Sequence, residues 1–185
     1  MFDRGGSRKY LNALERAAFL RAIKKEPDKG LQAFYLTLFY TGCRISEALN
    51  VPVSRIDLTG QAIVFETLKR RRRGLFRSVP IPDSVTQLFR QILAGAEPTD
   101  HIWKFSRTTA FRVVKEQMAL AGITGGMACP KGLRHGFAIA CLEQKIPLTT
   151  LKKWMGHARL ETTAIYLDVA GDEERELAKR LWKAG

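Results

Sequence analysis

The sequence predicts a mainly helical α+β domain with one small antiparallel β-sheet, and three observations carry that prediction. Leu31, Phe34, Tyr35, Leu38 and Phe39 recur at the spacing of a helix packed into a core. Between Val53 and Ile81 the apolar residues fall instead in short runs rich in β-formers, with Thr59-Gly60 as a turn. Helical sequence then resumes at Asp83 and continues with short breaks to the end of the chain.

In order along the chain, residues 1–10 read as a loose basic tail, and residues 11–185 as one domain. Asn12, with Glu15 three residues on, forms a capping box that opens a helix reaching about Lys25. Pro27 and Gly30 punctuate before the helix of the apolar stripe, which Gly42 ends. A shorter helix follows from about Ile45 to Asn50. Ile56 and Leu58, then Ile63, Val64 and Phe65, then Phe76 and Val79 read as three strands. Lys69-Arg70-Arg71-Arg72-Arg73-Gly74 links the second strand to the third. Helices are expected from Asp83 to about Leu93 and from Ser106 to Ala121. No internal repeat or low-complexity segment stands out.

The chain has 185 residues, 45% of them hydrophobic, enough for a proper core. Lys and Arg number 31 against 18 Asp and Glu, a formal charge of +13. A compact domain with that imbalance repels itself, so a polyanionic partner is the natural reading, a generically basic protein the bland one. Cys43, Cys129 and Cys141 lack a CxxC spacing and read as buried thiols of a reducing cytoplasm, not as a disulfide framework or zinc site. The start of the chain does not look like a signal peptide. The longest apolar stretch, near Leu31 to Tyr40, is too short to span a bilayer. The expectation is a soluble, cytoplasmic protein with no membrane partner.

Four segments carry the chemistry: Thr41-Gly-Cys-Arg44-Ile-Ser-Glu47-Ala-Leu; Lys69 in its basic hairpin; Lys131-Gly-Leu-Arg134-His135; and Met155-Gly-His157-Ala-Arg-Leu-Glu-Thr-Thr-Ala-Ile-Tyr166. In this order they resemble the tyrosine recombinases of the phage-integrase family, over about Leu11 to Val169. The resemblance implies that family's catalytic-domain fold. It also implies a site-specific recombinase that cleaves and rejoins double-stranded DNA through a 3′-phosphotyrosyl link, without metal or other cofactor. Integration, inversion and resolution are all open as outcomes. The rival readings are a type IB-like topoisomerase and a non-catalytic DNA-binding accessory protein.

By the same resemblance Tyr166 is the nucleophile, while Arg44 and Arg134 cradle the scissile phosphate. The chemistry fits these residue types. A phenol is a poor nucleophile alone, and arginine's charged planar fork reaches two non-bridging oxygens. His157, 9 residues before Tyr166, would donate from a ring nitrogen to the phosphate. Glu47 would hold the site electrostatically, and Lys69 is the family-style acid for the leaving 5′ oxygen, with a plain phosphate-binding loop as the alternative. Many members have His where this chain has Lys131, which is then a hydrogen-bond donor, and His135 reads as structural rather than catalytic. Arg70, Arg71, Arg72 and Arg73 in the hairpin, with Arg107, Arg112 and Lys115 on the helix from Ser106, are candidate DNA contacts.

The N-terminal helical domain that closes the family's clamp on DNA is expected to be absent. The chain would then be either a naturally short recombinase or a fragment. Partners implied are a homo-oligomer assembled on DNA, accessory DNA-binding proteins, and the prokaryotic nucleoid or a plasmid as location. Leu177, Ala178, Leu181 and Trp182 form a narrow apolar face that would fold back on its own core or dock on a neighbouring protomer.

Overall fold

Asn12 opens the first helix with a complete capping box: its side chain accepts from the Glu15 amide at 2.8 Å, and Glu15 accepts from the Asn12 amide at 2.8 Å. The computed structural model describes residues 8–67 and 74–167, with Lys179 and Trp182 besides. Its helices are α1 (Ala13–Lys24), α2 (Lys29–Thr41), α3 (Ile45–Leu49), α4 (Asp83–Ile92), α5 (Arg107–Leu120), α6 (Pro130–Glu143), α7 (Leu148–Met155) and α8 (Glu161–Ala164). The strands are β1 (Ile56–Asp57), β2 (Ala62–Glu66) and β3 (Phe76–Pro80). The basic hairpin from Lys69 to Arg73 lies outside the described residues, as do Leu177, Ala178 and Leu181. Of residues 8–10, expected in a loose tail, Arg8 pairs with Glu15 at 2.7 Å and Tyr10 packs on apolar residues of α6 and α7.

α2 is buried nearly all round, not on one stripe. Phe34, Tyr35, Leu38 and Phe39 are covered, and so are Gln32, Thr37 and Thr41. Two of the polar members have their hydrogen bonds met inside: Gln32 Nε2 donates to the Ile23 carbonyl, and Thr41 Oγ1 to that of Thr37, while Thr37 Oγ1 itself is buried with no partner among the described residues. α1, α4 and α6 pack around α2, which makes it the central rod of the domain.

The sheet has the order β1-β2-β3 and is antiparallel throughout. Asp57 Oδ1 accepts from the Thr59 and Gly60 amides and tightens the first turn, so Leu58 belongs to that turn and not to β1. Phe76 and Val79 both lie in β3, as expected, but not on one face. Side chains three apart in a strand point to opposite faces, and Phe76 is exposed while Arg77 and Val79 face inward. Arg77 pairs with Phe65 in the register.

Two apolar clusters result. The larger joins α1 to α5 and the sheet, and the smaller holds Phe137, Ile139, Leu142, Leu151, Met155 and Tyr166, with Trp154 packed on both.

Gly42 makes the passage from α2 to α3. It caps α2 in the left-handed region at φ 58°, and a Cβ there would run into the Phe137 ring. Gly42→Ala is therefore expected to destabilise the fold by about 2–4 kcal/mol, the left-handed penalty plus overpacking. Urea denaturation reads this, and a midpoint equal to wild type would refute it.

Candidate active site

The site is assembled around one carboxylate. Glu47, on the first turn of α3, is 1% exposed. Its Oε2 accepts from the Arg44 amide at 2.8 Å, so the same side chain closes the helix N-terminus. Arg44 Nη1 reaches Oε1 at 2.7 Å, Arg77 Nη2 reaches Oε2 at 2.7 Å, and Arg134 Nη1 stands 4.0 Å from Oε2. Burial alone would raise the Glu47 carboxyl. The Arg77 charge, the Arg44 amide and the Arg44 charge outweigh burial and hold it below its ordinary value. Three guanidiniums against one carboxylate leave the site net positive.

Arg134 lies one turn into α6 and is locked by main chain. Nη1 donates to the Gly42 carbonyl at 2.6 Å, and Nη2 donates to Met155 at 2.7 Å and to His157 Nε2 at 3.1 Å. Burial first, then the Arg44 charge, lowers its pKa to about 10, which leaves it charged near neutrality. Arg44 keeps 26% of its side chain exposed and remains open to a ligand.

α7 ends at Gly156 in the left-handed region, and this turn delivers His157 beside Arg134. A guanidinium only donates, so His157 Nε2 accepts and the ring proton sits on Nδ1, 2.9 Å from Thr163 Oγ1. Both nitrogens are thus engaged in this arrangement, neither turned out as a free donor. Burial, then Arg134 and Arg44, lowers the His157 pKa to about 4.

Tyr166 follows α8 and is 2% exposed. Its ring stacks on His157, centroids 6.4 Å apart, and its hydroxyl lies 2.8 Å from His135 Nδ1. Burial raises its pKa, against a lowering pull from Arg134 and Arg44. His135 is half-buried. Burial, followed by Lys131, Arg134 and Lys9, lowers its pKa to about 4.

Arg44, Glu47, Arg134, His135, His157 and Tyr166 therefore converge, from segments far apart in sequence. Lys131 is exposed on the first turn of α6, near enough to act on His135 by charge. Lys69 and Arg70 to Arg73 lie outside the described residues, although the ends of their segment are joined by a Thr67 amide to Leu75 carbonyl bond at 2.9 Å. Arg107, Arg112 and Lys115 are exposed on α5, and Arg112 pairs with Glu116 at 2.8 Å. Among the described residues no hydrogen bond or ion pair ties these three to the cluster. Of the cysteines, Cys43 and Cys141 are buried, whereas Cys129 is partly exposed.

Arg77 was not singled out in the sequence, yet it is a central member. Besides Glu47 it donates from Nε to the Trp154 carbonyl at 2.7 Å and from Nη1 to Thr67 Oγ1 at 3.3 Å. The signal for it was strand parity: with Val79 inward, Arg77 must be inward too. Beside it opens a cleft of about 400 Å³ lined by Thr67, Phe76, Arg77, Lys152, Lys153 and His157.

Residues 9–173 match the model of the phage integrase family. Tyrosine recombinase XerA of Pyrococcus furiosus is 30% identical over 182 residues, covering 93% of this chain and 61% of its own length. The chain thus spans about three fifths of that relative. A crystal structure of XerA recombinase superposes with a TM-score of 0.77 at 24% identity, covering 92% of this chain and 64% of that one. XerH recombinase bound to difH substrate in a pre-cleavage complex gives 0.73 at 21%, covering 89% and 55%. The fold is the one these recombinases share over the matched region.

The two buried histidines set an expected pH dependence. Unfolded, each takes up a proton near 6.5; folded, neither does so until about 4. Between those values the unfolded state binds more protons, so stability falls as pH drops from about 6.5 to about 4. Glu47, held below 4.5, adds to the loss at lower pH still. Thermal melting across this range reads the effect, and a flat profile would contradict it.

Proposed function

Since this chain belongs to the phage integrase family, we propose that it cleaves and rejoins double-stranded DNA at specific sites through a 3′-phosphotyrosyl link. The observation that carries the reading is the convergence of Arg44, Arg134, His157 and Tyr166 in one net-positive cluster. The Tyr166 oxygen attacks phosphorus, the P–O5′ bond breaks, and the 5′ oxygen leaves as a hydroxyl. One phosphodiester replaces another, so no nucleotide cofactor is required. Attack by a 5′ hydroxyl of a second strand then regenerates tyrosine and joins the new pair.

In this reading Arg44 and Arg134 neutralise the non-bridging oxygens. Their fixed charge acts before the reaction begins, which is where an electrostatic contribution is largest. Arg134 keeps N–H groups beyond those spent on Gly42, Met155 and His157. Lys131 adds a donor at the edge, Lys69 is assigned the leaving-group proton, and Arg70 to Arg73, Arg107, Arg112 and Lys115 the DNA backbone. Tyr166 is 2% exposed, so attack requires its segment to shift as DNA docks. His157 must likewise release Arg134 or Thr163 to donate to phosphate. Assembly as a homo-oligomer on paired sites, with accessory DNA-binding proteins, completes the reading, as does action at the nucleoid or a plasmid. Among the described residues no helix is long and apolar enough to cross a membrane.

The test is a nicked suicide substrate followed by a search for covalent protein–DNA adduct. Tyr166→Phe should abolish the adduct and leave DNA affinity within a few-fold, since the phenol oxygen is the attacking atom and holds no phosphate contact. Arg44→Ala should slow adduct formation on the order of 10²-fold or more. Adduct at wild-type yield in the Phe variant would overturn the reading.

DNA affinity should also fall steeply with salt, because a +13 chain displaces counterions when it docks. Binding titrations from about 50 to 200 mM salt measure the slope. A flat response would mean that the basic surface is not what meets DNA.

A further inference from the structure

The nucleophile in this reading carries a proton that must go somewhere. Arg44, Arg134 and Lys131 offer donors and no acceptor, so none of them takes it. His157 Nε2 is occupied by Arg134 and its Nδ1 faces Thr163. Among the described residues one ring nitrogen touches the reacting atom: His135 Nδ1, 2.8 Å from the Tyr166 hydroxyl.

The direction of that bond follows from counting unmet groups. His135 Nε2 is buried and, among the described residues, has no hydrogen-bond partner. Suppose Nδ1 donated to the tyrosine oxygen. The Nε2 lone pair and the buried tyrosine O–H would then both be unmet. If Nδ1 accepts, only the Nε2 N–H is left over. An unmet buried polar group costs about 1–3 kcal/mol, so the accepting tautomer is favoured and Tyr166 donates to His135.

We propose that His135 is the general base of the cleavage step, its Nδ1 taking the Tyr166 hydroxyl proton as the oxygen attacks phosphorus and returning it when strands rejoin. The O–H bond of Tyr166 breaks as N–H forms on His135 and O–P forms on the phosphate. The 5′ oxygen takes a separate proton from the acid assigned to Lys69. On rejoining, the departing tyrosine oxygen recovers the proton held by His135. This rests on the reading of Tyr166 as nucleophile.

Electrostatics make the base conditional. Burial first, then the charges of Lys131 and Arg134 on α6 and Lys9 in the N-terminal segment, disfavour the protonated form of His135. Without DNA the imidazole is therefore neutral and ready to accept, yet too weak a base to ionise the phenol. A docked phosphate brings negative charge against those cations. That raises the basicity of His135 when the substrate is in place, so transfer is coupled to attack rather than preceding it.

His135→Asn tests the proposal. An asparagine oxygen can still accept the tyrosine hydrogen bond but cannot carry its proton. Single-turnover adduct formation should slow about 10²- to 10⁴-fold, with DNA affinity within a few-fold of wild type. Replacing Tyr166 by 3,5-difluorotyrosine, whose phenol ionises more readily, should recover at least about tenfold in the Asn background and little in the wild-type background. Wild-type rates in His135→Asn would overturn the proposal. So would a fluorination effect equal in both backgrounds, which would leave His135 only a positioning role. Adduct formation by Tyr166→Phe would instead sink the nucleophile reading itself. If the Asn variant does not fold, ¹⁵N-histidine spectra of the wild-type chain decide. An Nδ1 without a proton and an Nε2 with one are required, and a proton on Nδ1 overturns the base.

Discussion

Everything in the site depends on the Glu47 carboxylate. Burying a charge is costly unless it is paired and hydrogen-bonded, and here it is both, with Arg44, Arg77 and the α3 amide sharing its two oxygens. The partners come from α3 and β3, and Arg134 of α6 stands at the edge of the same group. A single side chain thereby ties a helix start, a strand and a second helix to one point. Because the cations outnumber the anion, that point stays positive without any ligand. The arrangement is costly to hold and prepared in advance, which is what stabilisation of a developing phosphate charge requires.

Arg77 extends this constraint outward. It faces the core side of the sheet opposite Phe65, donates to the Trp154 carbonyl at the end of α7 and touches Thr67 at the base of the basic hairpin. The turn after α7 is the one that presents His157, and Gly156 lets it pass so closely that a Cβ there would press on the Arg77 guanidinium. Sheet, hairpin base and histidine turn are thus held in register by one buried arginine. Its removal would leave the buried Glu47 with Arg44 as its one close cation, so a loss there would register in stability before it could be read in chemistry.

Much of this was legible in the sequence, and the reasons differ by element. The capping box at Asn12, the stop at Gly42 and the turn at Thr59-Gly60 depend on local chemistry alone, and all three form as expected. The convergence of Arg44, Arg134, His157 and Tyr166 is not local. Its members were found through resemblance in motif, since no periodicity links positions 44 and 166. Arg77 escaped because an arginine between Phe76 and Ser78 reads as a solvated residue until the parity of β3 is fixed by Val79. The all-round burial of α2 escaped for a related reason. Gln32 and Thr41 look solvent-facing until their internal hydrogen-bond partners are known. The contact of His135 with Tyr166 spans 31 residues and two helices, and only the packing of the smaller core cluster brings it about.

That cluster explains why positive charge and a protonated Tyr166 coexist. Tyr166 is packed with Phe137, Leu151 and Met155, and burial opposes ionisation of its phenol. The neighbouring arginines pull the other way, and burial prevails while nothing anionic is present. Burial first, and then cations that include Arg134, which also favours the phenolate, hold His135 and His157 neutral. An approaching phosphate acts on both sides of this balance: it satisfies the guanidiniums and relieves the histidines. Ionising the tyrosine is therefore unfavourable in the free protein and eased by a bound phosphate. On the proposed function, a site built in this way holds its reactive form back until DNA supplies the missing charge.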